Sequence, residues 1–284
     1  MKKITLVILY NKQISESATL RSLLFTKYYG ELVIFNNGPI EISSNCSVFH
    51  QLEHLCSSVI LEQDVSNRPL SIVYNQFLSH AGYNNYFIFD DDTCIPPDFF
   101  SSKENKVCDL SLPVIISDRT NDIFYPIINS KPYNFFDSDI SDKDDIISIG
   151  SGLMINDSLI DIFKENKMQL FDERFALYGV DYSLFRRISI LKKIDVPIKI
   201  DVSGCLVHSL SSEDEKISKF RQRERLIDVM LTKLHYSERK GISKFLSLGK
   251  TLLKNFLAGG IHNVMTILLV LIYKKHPRSH KIKK

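Results

Sequence analysis

The sequence predicts an α/β fold in which a mostly parallel central sheet is flanked by helices and followed by a C-terminal helical extension. Three observations predict it. Short unbroken apolar runs at Ile4–Tyr10, Glu31–Phe35 and Tyr86–Phe89 have the length expected of strands covered on both faces, and the first is rich in β-branched residues. Segments with apolar residues every three or four positions lie between them, as helices returning between parallel strands require. After residue 240 the composition changes: residues 241–284 carry nine Lys/Arg and no Asp or Glu.

Charge and cysteine content narrow the function classes. The net charge of +3 is too small to suggest a nucleic-acid partner, yet it hides an asymmetry. Taking the nine basic residues of the tail from that +3 leaves residues 1–240 at −6, an acidic body with a basic tail suited to an anionic surface. The five cysteines are odd in number and contain no CxxC pair, which argues for reduced thiols rather than zinc or a disulfide framework. Met1-Lys2-Lys3 precedes only seven apolar residues and no small-residue cleavage site, so the run is a first strand and not a secretory signal. A cytoplasmic protein is expected.

Taken in order, Ser17 is placed to cap a helix carrying Leu20, Leu23 and Leu24. Asn36-Asn37-Gly38-Pro39 ends the second strand with strong turn chemistry. Weak strand signals fall at Val48–Phe49 and Val59–Leu61, and Leu70, Val73, Phe77 and Leu78 keep helical spacing. Leu112–Ile116 and Phe124–Ile128 read as strands, and Asp137 to Asp145 as a solvated acidic loop. Ile146–Ile155 reads as a strand interrupted by Gly150-Ser151-Gly152, a point of close backbone approach. A helix begins near Asp157, another covers Ser183–Leu191, and late strands fall at Ile198–Val202 and Cys205–Val207. Ser212-Glu213-Asp214-Glu215 is a capping box opening a long helix through Ile217, Phe220, Ile227, Leu231 and Leu234. The expected division is 1–211 as the catalytic domain, 212–240 as a helix packed on or leading from it, and 241–284 as the tail.

The third apolar strand runs straight into Asp90-Asp91-Asp92. In open α/β sheets ligands bind beyond the carboxyl ends of the strands. Adjacent carboxylates repel one another, so a triplet held there favours a cation, and hard oxygen ligands suit Mg²⁺ or Mn²⁺. Two other carboxylate motifs fail on residues. An EF-hand loop counted from Asp90 would need Gly at position six and Glu at position twelve, where Ile95 and Ser101 stand. A haloacid-dehalogenase phosphatase would want Asp-x-Asp-x-Thr near the N-terminus, but the fifth position is Cys94.

Several segments together resemble the family 2 glycosyltransferases of GT-A fold, the bacterial rhamnosyltransferase-like members most. They are LVILYN at Leu6–Asn11, VIFNNGP at Val33–Pro39, Asn67 with Tyr74-Asn75, YFIFDDDT at Tyr86–Thr93, Phe171-Asp172-Glu173-Arg174-Phe175 followed by Tyr178-Gly179-Val180-Asp181, and Val207-His208. The resemblance runs from Ile4 to about His208. It implies a nucleotide-diphospho-sugar transferase fold and an inverting, metal-dependent transfer to a hydroxyl. Asp92 matches the carboxylate that binds Mn²⁺ or Mg²⁺ directly, with His208 a further metal contact. Asp181 matches the general base. Tyr10, Asn11, Asn36, Asn67, Asn75, Asp90 and Asp91 fall on the donor side, and Gly152, Asp172 and Glu173 on the acceptor side. Asn36 stands where the family usually has an aspartate. Its amide oxygen can accept from a base N3–H and its NH₂ can donate, which leaves uracil and thymine both open.

In the tail, Phe245, Leu246, Leu248, Leu252, Leu253, Phe256 and Leu257 interleave with Lys244, Lys250 and Lys254, as in a basic amphipathic helix. Val264 to Tyr273 is apolar but only ten residues long, too short to span a bilayer. The expectation is an interfacial pair of helices on an anionic membrane; the alternative is a helical hairpin packed on the domain or on a second subunit. The whole reading is a peripheral enzyme at the inner face of the cell membrane. It would use dTDP-rhamnose or a UDP-hexose, act on a glycan or lipid-linked acceptor, and serve O-antigen or capsule synthesis. The competing readings are a catalytically silent scaffold of the same fold and a nucleotidyltransferase. The latter would want a glycine-rich loop with a basic residue after the first strand, which Asn11-Lys12-Gln13 does not supply.

Overall fold

The computed structural model describes residues 1–104, 106–134, 140–141, 143–209, 218–237 and 241–281, and within the last long helix leaves aside the side chains of residues 242, 244, 245 and 254–260. The first half is an alternation of strand and helix: β1 (Lys3–Leu9), α1 (Ala18–Leu23), β2 (Glu31–Asn36), α2 (Ser47–Leu55), β3 (Ser58–Gln63), α3 (Leu70–Phe77) and β4 (Asn85–Asp90). β3, β2, β1 and β4 lie side by side and all run parallel. Ser17 caps α1 as expected, its hydroxyl accepting from the Leu20 N–H. Val48 and Phe49, given a weak strand signal by their local composition, instead lie inside α2, where Phe49 packs inward. Packing of one face overrode the β-propensity of two residues.

The second half is mixed. β5 (Thr93–Cys94) follows the acidic triplet, then β6 (Leu110–Ser117), β7 (Ile123–Tyr125), β8 (Ile127–Ile128), β9 (Lys131–Pro132), β10 (Ile146–Ile147) and β11 (Leu153–Asn156). Next come α4 (Asp157–Glu165), α5 (Val180–Lys192) and β12 (Ile200–His208). β11 runs antiparallel between β4 and β6, while β12 is parallel to β6 and antiparallel to β5. β8, β9 and β10 form a small separate sheet. The two late strand signals are one strand, bulged between Val202 and Cys205, where Gly204 has φ of 75°.

The alternation along β1 shows why its sequence is apolar throughout. Ile4, Leu6 and Ile8 enter one hydrophobic cluster, and Val7 and Leu9 enter another on the opposite face. α1 and α2 cover the second face. The first face is covered by α3, α4 and α5, and also by α6 (Lys219–His235) and α7 (Gly241–Tyr273), which contribute Ile227, Met230, Leu231, Leu248, Ile267 and Val270 to the same cluster.

The tail thus packs one face onto the body. α7 is a single helix of 33 residues, not a pair, and is followed by α8 (Pro277–Lys281). The expected capping box at Ser212–Glu215 lies outside the described residues, as do Asp137 and the side chains of Lys244, Phe245, Lys254, Phe256 and Leu257; α6 as described is capped by Ser218, which accepts from the Arg221 N–H. Among the described residues no helix is long and apolar enough to cross a membrane.

Ile267 is fully buried while Ile272, on the same helix, is 70% exposed. Ile267→Ala is therefore expected to cost about 2–4 kcal/mol and Ile272→Ala less than about 0.5 kcal/mol in urea unfolding. Equal small effects would show a tail that does not pack on the body.

Candidate active site

Strand order reverses between β1 and β4, and the carboxyl ends of β2, β1 and β4 are brought level there. Ile8 pairs with Asp90 and Leu9 with Asn36. This is the switch point at which an open α/β sheet leaves a crevice above its strands. Asp90 ends β4 inside that crevice, and the chain then turns back through β5, whose Thr93 pairs with His208 at the end of β12. A two-residue strand thereby carries a histidine 116 positions downstream of Asp92 to the side of the triplet.

One ligand atom each from Asp90, Asp92 and His208 lies within 4.8 Å of the other two. Asp92 Oδ1 is buried and accepts no hydrogen bond; His208 Nδ1 is 3.4 Å away. An orphaned buried carboxylate oxygen beside an imidazole and a second carboxylate fits a divalent cation such as Mn²⁺. The electrostatics agree. Burial, then the neighbouring Asp92, Asp181 and Asp91, push the Asp90 pKa well above the usual carboxylate range. Burial likewise raises Asp92, against the opposing effect of His208. Burial lowers the His208 pKa, against the opposing pull of Asp92, which favours the neutral imidazole a metal requires.

The cluster is held from beneath by fully buried hydroxyls. The Asp90 N–H donates to Ser151 Oγ (3.2 Å), Ser151 Oγ is 2.6 Å from Thr93 Oγ1, and Thr93 Oγ1 is 3.0 Å from His208 Nδ1. Thr19 Oγ1 donates to the Asp90 carbonyl (2.5 Å) and accepts from the Thr93 N–H (2.9 Å). Asp91 turns the other way. It pairs with Lys12 at 2.5 Å and accepts from the Tyr10 N–H at 3.3 Å, fastening the loop after β1 to the triplet.

Asp181 lies in the first turn of α5, two residues after Gly179, whose φ is 77°. Gly179 is required twice, since a Cβ there would also collide with the Asp228 carboxylate. Burial raises the Asp181 pKa to about 6, tempered by the Gly150 N–H that donates to it. A Cβ on Gly150 would stand 2.6 Å from Asp181 Oδ1, so the close approach anticipated at Gly150-Ser151-Gly152 is an approach to this carboxylate. The fully buried Ser151 meanwhile reaches the triplet. One short segment touches both Asp181 and Asp90.

The other sequence-derived residues divide. Tyr10 is exposed, with its hydroxyl 3.5 Å from Asn67 Nδ2, and Asn67 has φ of 55°. Asn11, φ also 55°, donates its N–H to the Gly38 carbonyl (2.7 Å). Asn36 is buried, and its amide is engaged by its own turn and by the end of β3: Nδ2 donates to Ile40 O and Gln63 Oε1, and Oδ1 accepts from the Gly38 N–H. Asn75 is a strut that exchanges two hydrogen bonds with the Phe171 backbone. Asp172 is 1% exposed and committed to Arg174 (2.5 Å), Arg187 (3.3 Å) and the Tyr236 hydroxyl (2.6 Å). Burial alone would raise its pKa, but the Arg174 hydrogen bonds and the Arg187 charge outweigh it and hold it low. Glu173, half-buried, accepts from Gln169 Nε2 (2.9 Å). Gly152 packs its backbone against Leu206 and Pro113. Lys12 and Thr19 carried no signal in the sequence, because a lone lysine or threonine after a strand is unremarkable until the triplet is placed beside it.

This arrangement is set in the fold of the GT-A glycosyltransferases. No family model and no curated protein matches the sequence. Among solved structures, residues 1–349 of Staphylococcus aureus TarS in complex with UDP-GlcNAc align over 98% of this chain and 83% of that one, at 14% identity and TM-score 0.55. The mannosyltransferase PcManGT of Pyrobaculum calidifontis, in complex with GDP-Man and Mn²⁺, aligns over 96% and 74%, at 13% identity and TM-score 0.53. Another TarS structure is covered to only 44% of its length, at 15% identity and TM-score 0.51.

Carbon-detected carboxylate titration is expected to place the Asp181 midpoint near pH 6. Gly150→Ala should displace that midpoint, because its methyl group occupies the space of the bonded oxygen. A midpoint near pH 4, unmoved by Gly150→Ala, would mean that Asp181 is solvated and that Gly150 does not support it.

Proposed function

We propose that the protein is an inverting, metal-dependent glycosyltransferase, moving a sugar from dTDP-rhamnose or a UDP-hexose to a hydroxyl of a glycan or lipid-linked acceptor in bacterial surface polysaccharide synthesis, O-antigen or capsule. The observation that carries this reading is the Asp90–Asp92–His208 cluster at the switch point, with the raised-pKa carboxylate of Asp181 close enough to raise Asp90 in turn. Binding of UDP-GlcNAc by TarS and of GDP-Man by PcManGT, on the same fold, supports a nucleotide-sugar donor.

Asp92 and His208, with Asp90, would hold Mn²⁺ or Mg²⁺, which when bound offsets the charge of the departing nucleoside diphosphate. Tyr10 and Asn67 flank the mouth on the donor side, and the Lys12–Asp91 pair holds the loop on which Tyr10 stands. Asn11, Asn36 and Asn75 serve that side by fixing backbone. Asp181 takes the proton of the acceptor hydroxyl as its oxygen attacks the anomeric carbon. Attack comes from the face opposite the diphosphate, the bond from the anomeric carbon to the diphosphate oxygen breaks, and the configuration inverts. Around the acceptor, Glu173 borders the segment that the buried Asp172 anchors, and Gly152 lets the backbone beside Ser151 lie close to Leu206 and Pro113.

The membrane surface is the place proposed for this reaction. Leu246, Leu253, Ile261, Met265, Leu268 and Ile272 are 44–74% exposed on α7, and their spacing makes one apolar stripe along a helix whose span carries no acid. Apolar area and basic charge acting together favour an anionic bilayer.

A thermal-shift panel of UDP-, dTDP- and GDP-sugars is expected to give a Mn²⁺-dependent shift for one base class, lost in Asp92→Ala. No shift with well-folded protein would sink the donor site. Asp181→Asn should lower transfer at least about 100-fold while leaving the Tm at pH 8 equal or higher, since it removes a poorly solvated charge. Wild-type transfer should fall as pH drops through about 6, where Asp181 takes up its proton. Phosphatidylglycerol vesicles should bind the protein, and Leu268→Glu with Ile272→Glu should weaken that binding at least about tenfold; unchanged binding would remove the stripe from the membrane contact.

A further inference from the structure

Arg278 stands on α8, 211 residues along the chain from Asn67, and it brings the described C-terminus into contact with that residue. We infer that Arg278 is a positioning residue for donor binding, setting the Asn67 loop and the orientation of its carboxamide; this rests on the donor reading of the switch-point crevice given above. Its Nη1 donates both to Asn67 Oδ1 (2.7 Å) and to the Asn67 carbonyl (3.2 Å). With the side-chain oxygen so engaged, the amide nitrogen of Asn67 is turned toward the Tyr10 hydroxyl, 3.5 Å away across the mouth. The two residues on the exposed rim are thus related through a cation on a distant helix.

The guanidinium is itself held before it reaches the loop. Its Nη2 donates to Glu224 Oε2 (2.5 Å) on α6, a carboxylate 6% exposed as a residue and also faced by His276 Nε2 at 3.2 Å. The His276 N–H donates to the Arg174 carbonyl (2.7 Å), and the Arg278 N–H donates to His276 Nδ1 (3.0 Å). α8 also stacks His280 on Tyr273, at the end of α7, with ring centroids 4.0 Å apart. From the other side Asn37 brackets Arg68, accepting its N–H (2.7 Å) and donating to its carbonyl (3.0 Å). The Leu70 N–H donates to the Ala176 carbonyl (2.8 Å). Asn37 and Ala176 fix the backbone after Asn67. Arg278 engages the side-chain oxygen and the carbonyl of Asn67 itself, and it does so with a planar fork that one lysine ammonium cannot reproduce.

The experiment is calorimetric titration of the full chain, in Mn²⁺, with UDP, dTDP and GDP in turn, for wild type, Arg278→Gln, Arg278→Lys, Asn67→Ala and the Arg278→Gln/Asn67→Ala double variant, with hydrogen exchange on the peptide containing residues 66–70. The expected result is about tenfold weaker binding of the preferred nucleotide in Arg278→Gln and an intermediate loss in Arg278→Lys. Arg278→Gln should add less than about twofold in the Asn67→Ala background, because both changes remove one interaction. Exchange of residues 66–70 should quicken in Arg278→Gln. Wild-type binding that Arg278→Gln leaves unchanged, or full additivity with Asn67→Ala, overturns the inference alone. Failure of wild type to bind any of the three nucleotides overturns the donor reading, and this inference with it.

Discussion

Repulsion among carboxylates at the end of β4 is the constraint around which the site is built. Two unit charges 4 Å apart repel by about 4 kcal/mol at the effective dielectric of a protein surface. Here ligand oxygens of Asp90 and Asp92 lie within 4.8 Å of each other, with Asp181 near enough to raise Asp90 further. The fold answers with donors where it can: Asp91 is neutralised by Lys12, and Asp181 receives the Gly150 N–H. Asp92 Oδ1 receives none. The unmet need of that oxygen is what fits the cluster to a cation.

Two buried carboxylates farther away do a different kind of work. Asp172 gathers Arg174, Arg187 and Tyr236, and Glu224 gathers Arg278 and His276. Each is held ionised by the cations around it despite burial. Removing a single partner from such a group leaves a charge stranded, so these clusters specify one arrangement more than they add stability. They join the segment before α5, the helix α6 and the C-terminal α8.

Much of this was legible locally. β1, β2 and β4 are continuous apolar runs because both faces are covered, and their identity needed no tertiary information. The carboxylate triplet at a strand end, the turn at Asn36–Pro39 and the tightness of Gly150-Ser151-Gly152 were equally visible. Less visible were elements whose state depends on partners. Val48 and Phe49 look like strand residues and are helical because Phe49 packs inward. The tail looks like a free amphipathic segment because its sequence shows apolar spacing without saying which residues are covered. Leu248, Ile267 and Val270 pack onto the body, and the stripe through Leu268 and Ile272 stays outside.

The sequence by itself determined the long apolar strands β1, β2 and β4, the Ser17 cap and the acidic end of β4, since these follow from periodicity and from residue type at short range. The reading of Ile146–Ile155 as one strand gave way to β10 and β11 in separate sheets. Tertiary structure alone decided which polar groups meet. His208 joins Asp92 because two residues after the triplet pair with the end of β12, Lys12 meets Asp91 because β1 and β4 are neighbours, and Arg278 meets Asn67 because α7 folds back along α6. Asn36 and Asn67 illustrate the limit. Asn36 ends an apolar strand and Asn67 follows a polar loop, yet neither context reveals that one amide bonds Ile40, Gly38 and Gln63 while the other meets Arg278 and Tyr10. The reason is that a hydrogen bond's partner depends on distance in space, and sequence separation carries almost none of that information.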